Sequence, residues 1–267
     1  MAARRLIDQK KLRARKRKKS FFLSLYALLA IGIVVSGVSF LSWIDELAIR
    51  EIRVEGAEKV SPDEVRGIAE LALAGSYIGL FSKADTLTYP EDDITSSISA
   101  LPRVRSVDIS RDGLNSIVIT ITERTEAARW CDGMGESCYS MDENGFVFGS
   151  SDSDAFAYSG ILSDDPVGSQ YLSEATFRKI EFFMREIRNL SLEPSGARLS
   201  ESGYMDIAVR GGGKLLIYTE DDLSSVLKFL QSAVQDKTVA PTLDAFLSTL
   251  EYLKLDSGSK IVYKKRD

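Results

Sequence analysis

The 267 residues contain no histidine. This excludes Ser-His-Asp and Cys-His nucleophile activation, imidazole metal ligands and the commonest general base. Carboxylate pairs and Ser-Lys dyads survive the exclusion, so enzymes as a class are disfavoured rather than removed. Cysteine is scarce: only Cys131 and Cys138, in WCDGMGESCYS. Two thiols without an imidazole make no convincing zinc site. With Gly133 and Gly135 between them they suit the two arms of a hairpin, either as a disulfide, if that region lies in an oxidising space, or as two reduced thiols. A bridge closing so short a loop contributes about 2–3 kcal/mol. The sequence has no internal repeat and no long low-complexity segment.

Charge is missing from one long stretch, Phe21 to Trp43. A helix of that length spans roughly 34 Å, enough for a hydrocarbon core of roughly 30 Å. Ser24, Ser36, Ser39 and Ser42 can bond back to their own helix, Gly32 and Gly37 are tolerated in lipid, and Trp43 sits where an aromatic ring prefers the headgroup region. A secretory signal has a shorter apolar core; Val35-Ser36-Gly37-Val38-Ser39 is a weak cleavage candidate, and length favours a retained anchor. Of 34 Lys/Arg and 39 Asp/Glu, ten and one lie in residues 1–20, so the remainder carries a formal charge of −14. The basic flank stays on the cytoplasmic side, which puts residues 44–267 outside. Its position beside the span makes anionic lipid a simpler partner than nucleic acid, and the acidic remainder is a poor nucleic-acid binder.

Beyond the span, Ile49–Val54 alternates apolar and charged, the pattern of a half-buried strand. Ser61-Pro62-Asp63-Glu64 reads as a capping box opening a helix with Val65, Ile68, Ala69 and Ala72 on one face and Gly75 at its end. Residues 76–89 read as a loop whose Tyr77, Ile78, Leu80, Phe81 and Leu87 can tuck inward. Pro90 opens a second helix, acidic in its first turn and lined by Ile94, Ile98 and Leu101. Val104–Ser110 and Ile117–Thr122 are strands around Asp112-Gly113. The order β-α-α-β-β over residues 49–124 makes a compact α+β unit in which the first strand joins the closing hairpin and both helices cover one face.

The remainder reads as strands interrupted by two helices. Tyr139–Met141 and Phe146–Phe148 flank the Asn144-Gly145 hairpin signal. Ser173 caps a helix running to Asn189. Thr219–Asp222 is a second capping box, followed by Leu223, Val226, Leu227, Leu230 and Val234 on one helix face. Residues 236–243 read as a turn, Phe246–Leu255 and Lys260–Lys264 as the last two strands, and residues 150–170 as the most mobile loop. Asp142-x-Asn144-Gly145 imitates part of a calcium loop but lacks the other ligands, so a hairpin turn is preferred. The glycine run 211–213 lacks the helix and Lys-Ser/Thr pair of a phosphate loop. Asp92-Asp93 and Asp221-Asp222 suit helix N-termini; Asp152-Ser153-Asp154 and Asp164-Asp165 belong to a polar loop; Lys264-Lys265-Arg266 reads as a soluble end. What remains is surface for protein contact. If the final strand is a sheet edge, its unpaired backbone groups can receive another strand; otherwise a neighbouring strand or the tail covers it.

Several motifs occur together and in order: VEGAEKVSPDEV (54–65), LPRVRSVDISRDGLNSIVITITER (101–124), ERTEAARW (123–130), DENGFVF (142–148), GGGKLLIYTEDDLSSVLKFL (211–230) and LEYLKLDSGSKIVYK (250–264). With the basic tail and single span, the chain resembles the FtsQ/DivIB division proteins. Lys254-Leu255-Asp256 departs from the Asp-Leu-Arg usual in the final hairpin. The resemblance implies residues 1–20 as a cytoplasmic tail, 21–43 as a transmembrane helix, 44–124 as a POTRA domain, 125–264 as an FtsQ-type β domain and 265–267 as a tail. It implies no enzyme activity, cofactor, metal or small-molecule substrate. It further implies FtsB-like and FtsL-like single-span partners at the division septum of the bacterial plasma membrane. The family's partner contact carries over to Leu255, Asp256, Ser257, Gly258, Lys260, Ile261 and Tyr263, with Val60–Val65 as a second surface. The competing readings are a POTRA component of a secretion or outer-membrane assembly system and a membrane-anchored wall enzyme using carboxylates.

Overall fold

The computed structural model describes residues 2–133, 135, 137–162, 165–235, 247–255 and 261–266. The chain forms two compact units, Met1–Thr122 and Glu123–Asp267.

The first unit begins with helix α1, Ala2–Leu41. Its segment Phe21–Leu41 is, among the described residues, the one helix long and apolar enough to cross a membrane, and it is not buried inside the protein. The apolar run continues to Trp43, but the helix stops at Leu41 and residues 42–44 close as turns, Trp43 N–H donating to Phe40 and Ile44 N–H to Leu41. A three-stranded sheet follows, in the order β1 (Glu51–Glu55), β5 (Ser116–Glu123), β4 (Val104–Arg111). Here β1 runs parallel to β5, with Ile52 opposite Ile117 and Val54 opposite Ile119. Helices α2 (Pro62–Leu73) and α3 (Glu91–Ser99) share one core with the sheet: Val65, Ala69 and Leu73, Ile94 and Ile98, and Ile117, Ile119 and Ile121 are all buried together. The period-2 isoleucines of β5 give the sheet one apolar face, and the helices fill it.

Two local expectations are corrected. Ser61 precedes α2 and Pro62 opens it, but the Ser61 side chain makes no capping bond; its carbonyl accepts from the Glu64 and Val65 N–H groups instead. Residues 76–89 contain a short hairpin, β2 (Ser76–Tyr77) with β3 (Phe81–Ser82); of the apolar side chains in this stretch Phe81 is half-buried, whereas Tyr77, Ile78, Leu80 and Leu87 are exposed and do not tuck inward.

Among the described residues, the second unit is a nine-stranded mixed sheet whose two long helices share one core with it. In chain order it comprises β6 (Ala128–Cys131), β7 (Cys138–Met141), β8 (Val147–Ser150), β9 (Ala157–Ser159), α4 (Glu174–Asn189), β10 (Pro194–Leu199), β11 (Tyr204–Val209), β12 (Lys214–Tyr218), α5 (Leu223–Gln235), β13 (Leu250–Leu255) and β14 (Ile261–Lys265). Across the sheet the order is β14-β13-β12-β11-β10-β9-β6-β7-β8. Both helices are crossovers between parallel strands: α4 carries the chain from β9 to β10 and α5 from β12 to β13. Parallel neighbours require such a crossover, because a tight turn cannot reverse the chain twice. Phe177, Ile180, Met184 and Ile187 of α4 and Val226 and Leu230 of α5 meet Met205, Ile207, Leu215, Ile217 and Leu253 in one core.

Ser173 caps α4 as expected, accepting from the Thr176 N–H at 3.2 Å. For α5 the cap is Asp222 rather than Thr219. Its Oδ1 accepts from the Ser224 N–H and its Oδ2 from the Ser225 hydroxyl, whereas the Thr219 hydroxyl bonds the Gly203 carbonyl. The stretch 150–170 is not merely a loop. It supplies β9, which sits in the middle of the sheet between β6 and β10, and Tyr158 on it is fully buried. Strand β13 starts at Leu250, after a helical turn over 247–249. Residues 236–246, read as a turn and the start of a strand, lie outside the described residues.

Candidate partner interface

Strands at the two ends of a sheet carry the least satisfied backbone, and natural sheets usually cover or blunt them. The ends of the nine-stranded sheet differ. Outside β8, the segment 168–170 lies alongside: Gly168 N–H donates to Val147 at 2.8 Å, Val147 N–H donates to Ser169 at 3.0 Å, and Phe146 bridges Gln170. Outside β14, no strand among the described residues pairs.

The register explains what that open edge presents. Strand β13 faces the core with Leu250, Leu253 and Leu255, all buried. It pairs antiparallel with β14, setting Leu253 opposite Tyr263 and Leu255 opposite Ile261. The same ladders align Ile207, Leu215 and Leu253 in one row, and Met205, Ile217 and Leu255 in the next. Tyr263 and Ile261 therefore occupy the outermost positions of two apolar rows that begin in the core. At the edge, Tyr263 is 47% exposed and Val262 50%. An added strand would continue both rows as well as the hydrogen-bond ladder.

The edge is basic. Lys264 bonds Glu251 at 2.8 Å, and that carboxylate, first by the hydrogen bond and then by its charge, holds the ammonium pKa above its usual value. Arg266 donates its N–H to the Thr249 carbonyl at 2.8 Å, so the basic run is stitched to the sheet instead of trailing as a soluble end. Lysines on an edge discourage indiscriminate strand pairing and favour a segment with acids.

Of the residues carried over from the resemblance, Leu255 is buried and supports the edge from behind, Ile261 and Tyr263 lie on β14, and Asp256, Ser257, Gly258 and Lys260 lie outside the described residues. In the first unit, Val60 and Val65 point into the core, which leaves only Ser61–Glu64 of that segment exposed. A different surface there was missed: the outer edge of β1. A cleft of about 780 Å³ runs along Ile49–Glu55, bounded by Arg66, Glu70 and Leu73, with the Arg66 Nε donating to the Ile52 carbonyl at 3.4 Å. The alternation of Ile49–Val54 marked a half-buried strand, but only topology puts it at an edge.

Asp142 does not resemble a cation ligand in its contacts. Its Oδ1 accepts from the N–H groups of Asn144 (2.8 Å) and Phe146 (3.0 Å), and its Oδ2 pairs with Arg124. Arg124 also lies over the Phe146 ring, 4.1 Å from its centroid. Cys131 and Cys138 face each other across β6 and β7 and form a disulfide.

Residues 47–124 match the family model described as POTRA domain, FtsQ-type. No curated protein matches the chain.

Proposed function

We propose, from the FtsQ-type POTRA domain over residues 47–124, that the chain is a division scaffold of the FtsQ/DivIB kind that gathers FtsB-like and FtsL-like single-span proteins at the division septum by strand addition to β14. A role in cell division of the FtsQ kind comes with the domain; the partners, the septum and the edge are the proposal. The single observation that carries it is the contrast between the covered edge at β8 and the open edge at β14, where Ile261 and Tyr263 end two apolar rows.

In this reading residues 1–20 form the cytoplasmic tail, 21–43 the membrane span, 44–124 the POTRA domain and 125–264 the β domain, with 265–267 as a tail whose first residue, Lys265, still pairs in β14. The helix Phe21–Leu41 and the basic residues before it fit a single-pass inner-membrane protein with its bulk outside. Confinement to one bilayer raises the effective concentration of partners, so an edge contact of modest affinity suffices. An incoming strand gains backbone hydrogen bonds along Val262–Lys265 and packs an apolar side chain beside Tyr263; an acid on it meets Lys264 or Lys265.

The test is co-purification from detergent of the full chain carrying Tyr263→Ala and Ile261→Pro. Small single-span proteins that travel with the native chain are lost from the variant, while amide-exchange protection of β1, β4 and β5 is unchanged. Undiminished co-purification would refute strand addition at this edge.

A further inference from the structure

The β2–β3 hairpin is built against the grain of its own turn. The Leu80 N–H donates to the Tyr77 carbonyl at 2.9 Å, closing a turn whose central residues are Ile78 (φ 53°) and Gly79 (φ 73°). Two successive left-handed residues are the pattern that Asn-Gly and Gly-Gly satisfy; Gly79 adopts it freely. Ile78 does not, because a β-branched side chain at positive φ is a genuine outlier. Strain of this kind persists where something else is served, and here the Ile78 side chain packs on nothing: it is 96% exposed. Leu80 is 46% exposed beside it, and Tyr77, the residue before the turn, is exposed as well. Lys83 lies over the Tyr77 ring, 5.5 Å from its centroid.

The hairpin's place relative to α1 says what covers it. The Leu80 carbonyl accepts from the Ser39 hydroxyl and from the Trp43 ring N–H at 3.0 Å. Two residues further along β3, the Ser82 N–H donates to the Ser42 hydroxyl at 3.2 Å. Leu80 is thus level with Ser39 and Ser82 with Ser42. Strand β3 runs alongside the last turn of α1 in the same direction, and its turn end, Ile78–Leu80, lies toward the apolar segment. Ser39 precedes Leu41, the end of that segment, by two residues, or about 3 Å along a helix.

We infer that the β2–β3 turn is a second membrane contact, which inserts Ile78 and Leu80 into the outer leaflet beside the end of α1. The occupant is lipid because the patch continues the exposed apolar surface of Phe21–Leu41, which is likewise not buried by any of the described residues. Tyr77 and Trp43 lie at the headgroup level, where amphipathic rings concentrate, and Lys83 is within reach of lipid phosphate. The consequence is mechanical. A lone helix leaves the domain behind it free to swivel; a second point of insertion, with the turn hydrogen-bonded to the helix end, fixes the tilt of the POTRA domain against the membrane. The inference rests on α1 spanning the bilayer.

The test uses the full chain in vesicles of phosphatidylethanolamine and phosphatidylglycerol, with an environment-sensitive fluorophore on a single introduced cysteine. Cys131 and Cys138 are disulfide-bonded and take no label. Labelled sites are Ile78→Cys, Leu80→Cys, Leu29→Cys within the span, and Glu58→Cys, beyond the far end of β1. Lipid bearing a nitroxide on the acyl chain should extinguish most emission from positions 78, 80 and 29 and leave position 58 bright. Positions 78 and 80 as bright as 58, with 29 quenched, would overturn the inference and leave the span standing. A blue shift at 78 without nitroxide quenching would mean protein cover and overturn it equally. An unquenched position 29 would bring down the span and this inference together.

Discussion

The Arg124 guanidinium pairs with Asp142 at the point where the second unit begins, and lies across the Phe146 ring as it does so. The two residues come from stretches 18 positions apart, ERTEAARW and DENGFVF. Their pairing gives both stretches a structural meaning. Asp142 is 2% exposed and uses its other oxygen to shape the β7–β8 turn through the Asn144 and Phe146 N–H groups.

Arg124→Ala leaves a buried carboxylate without its counter-charge, and unfolding of the second unit should become easier by about 3 kcal/mol. Asp142→Asn should cost less, about 1–2 kcal/mol, because the amide oxygen still accepts from the turn. Denaturant unfolding followed by Trp130 fluorescence checks the order; equal losses would mean that the unpaired buried carboxylate carries no penalty beyond loss of the ion pair itself.

Gly56, with φ 77°, closes β1, and a Cβ there would lie 2.1 Å from the Ile121 carbonyl oxygen. Gly56→Ala should cost the POTRA unit about 2–4 kcal/mol. Faster amide exchange in β1 and β5 would register it. Gly133→Ala, with open space around the added carbon, is the matched control and should change stability by less than about 0.5 kcal/mol.

Replacing both Cys131 and Cys138 by Ser should lower stability by about 2–3 kcal/mol without unpairing β6 from β7, since the strands also pair through Ala128–Met141 and Trp130–Tyr139. The same loss on adding reductant to the native chain, and none in the double variant, would tie the effect to the disulfide.

Tyr158 and Tyr171 set an alkaline limit. Burial, followed by the Glu181 carboxylate that accepts its hydroxyl, pushes the Tyr158 pKa well up; burial does the same for Tyr171. Both therefore ionise at higher pH folded than unfolded, where the value is about 10. Their contribution to stability is whole below that pH and declines as pH rises toward the folded values. Phenolate absorbance compared with Tyr158→Phe and Tyr171→Phe variants should show these two tyrosines ionising only as the fold is lost. Ionisation of either in a chain that stays folded at pH about 10 would contradict this.

Much of the POTRA unit was legible because its signals are local. The alternation of Ile117, Ile119 and Ile121, Pro62 at a helix start and Ile94 with Ile98 one turn apart each identify an element from a few residues. Strand β9 was not legible: it is three residues long, flanked by serines and aspartates, and both its partners are parallel strands distant in sequence. The Thr219–Asp222 capping box failed because three cap-type residues, Thr219, Asp221 and Asp222, stand close together and leave the choice of cap to tertiary contacts, and Gly203 claimed Thr219. Tyr77, Ile78, Leu80 and Leu87 look able to tuck inward from sequence and do not, because apolar character does not distinguish a protein core from lipid. The chain's last strand was visible as a strand, but its place at a sheet end depends on the whole strand order. Asp256–Lys260, four of which carry the resemblance-based contact, lie outside the described residues, so that part of the site rests on sequence.

The central claim is that partners join the sheet at β14, and contact-range crosslinking in dividing cells addresses it most directly. A photoreactive amino acid replaces Tyr263 in the full chain, and Phe182, exposed on α4, serves as the comparison. The account predicts adducts between position 263 and small single-span membrane proteins, abolished when Ile261→Pro is added, with none from position 182. Adducts from 182 and none from 263 would contradict it.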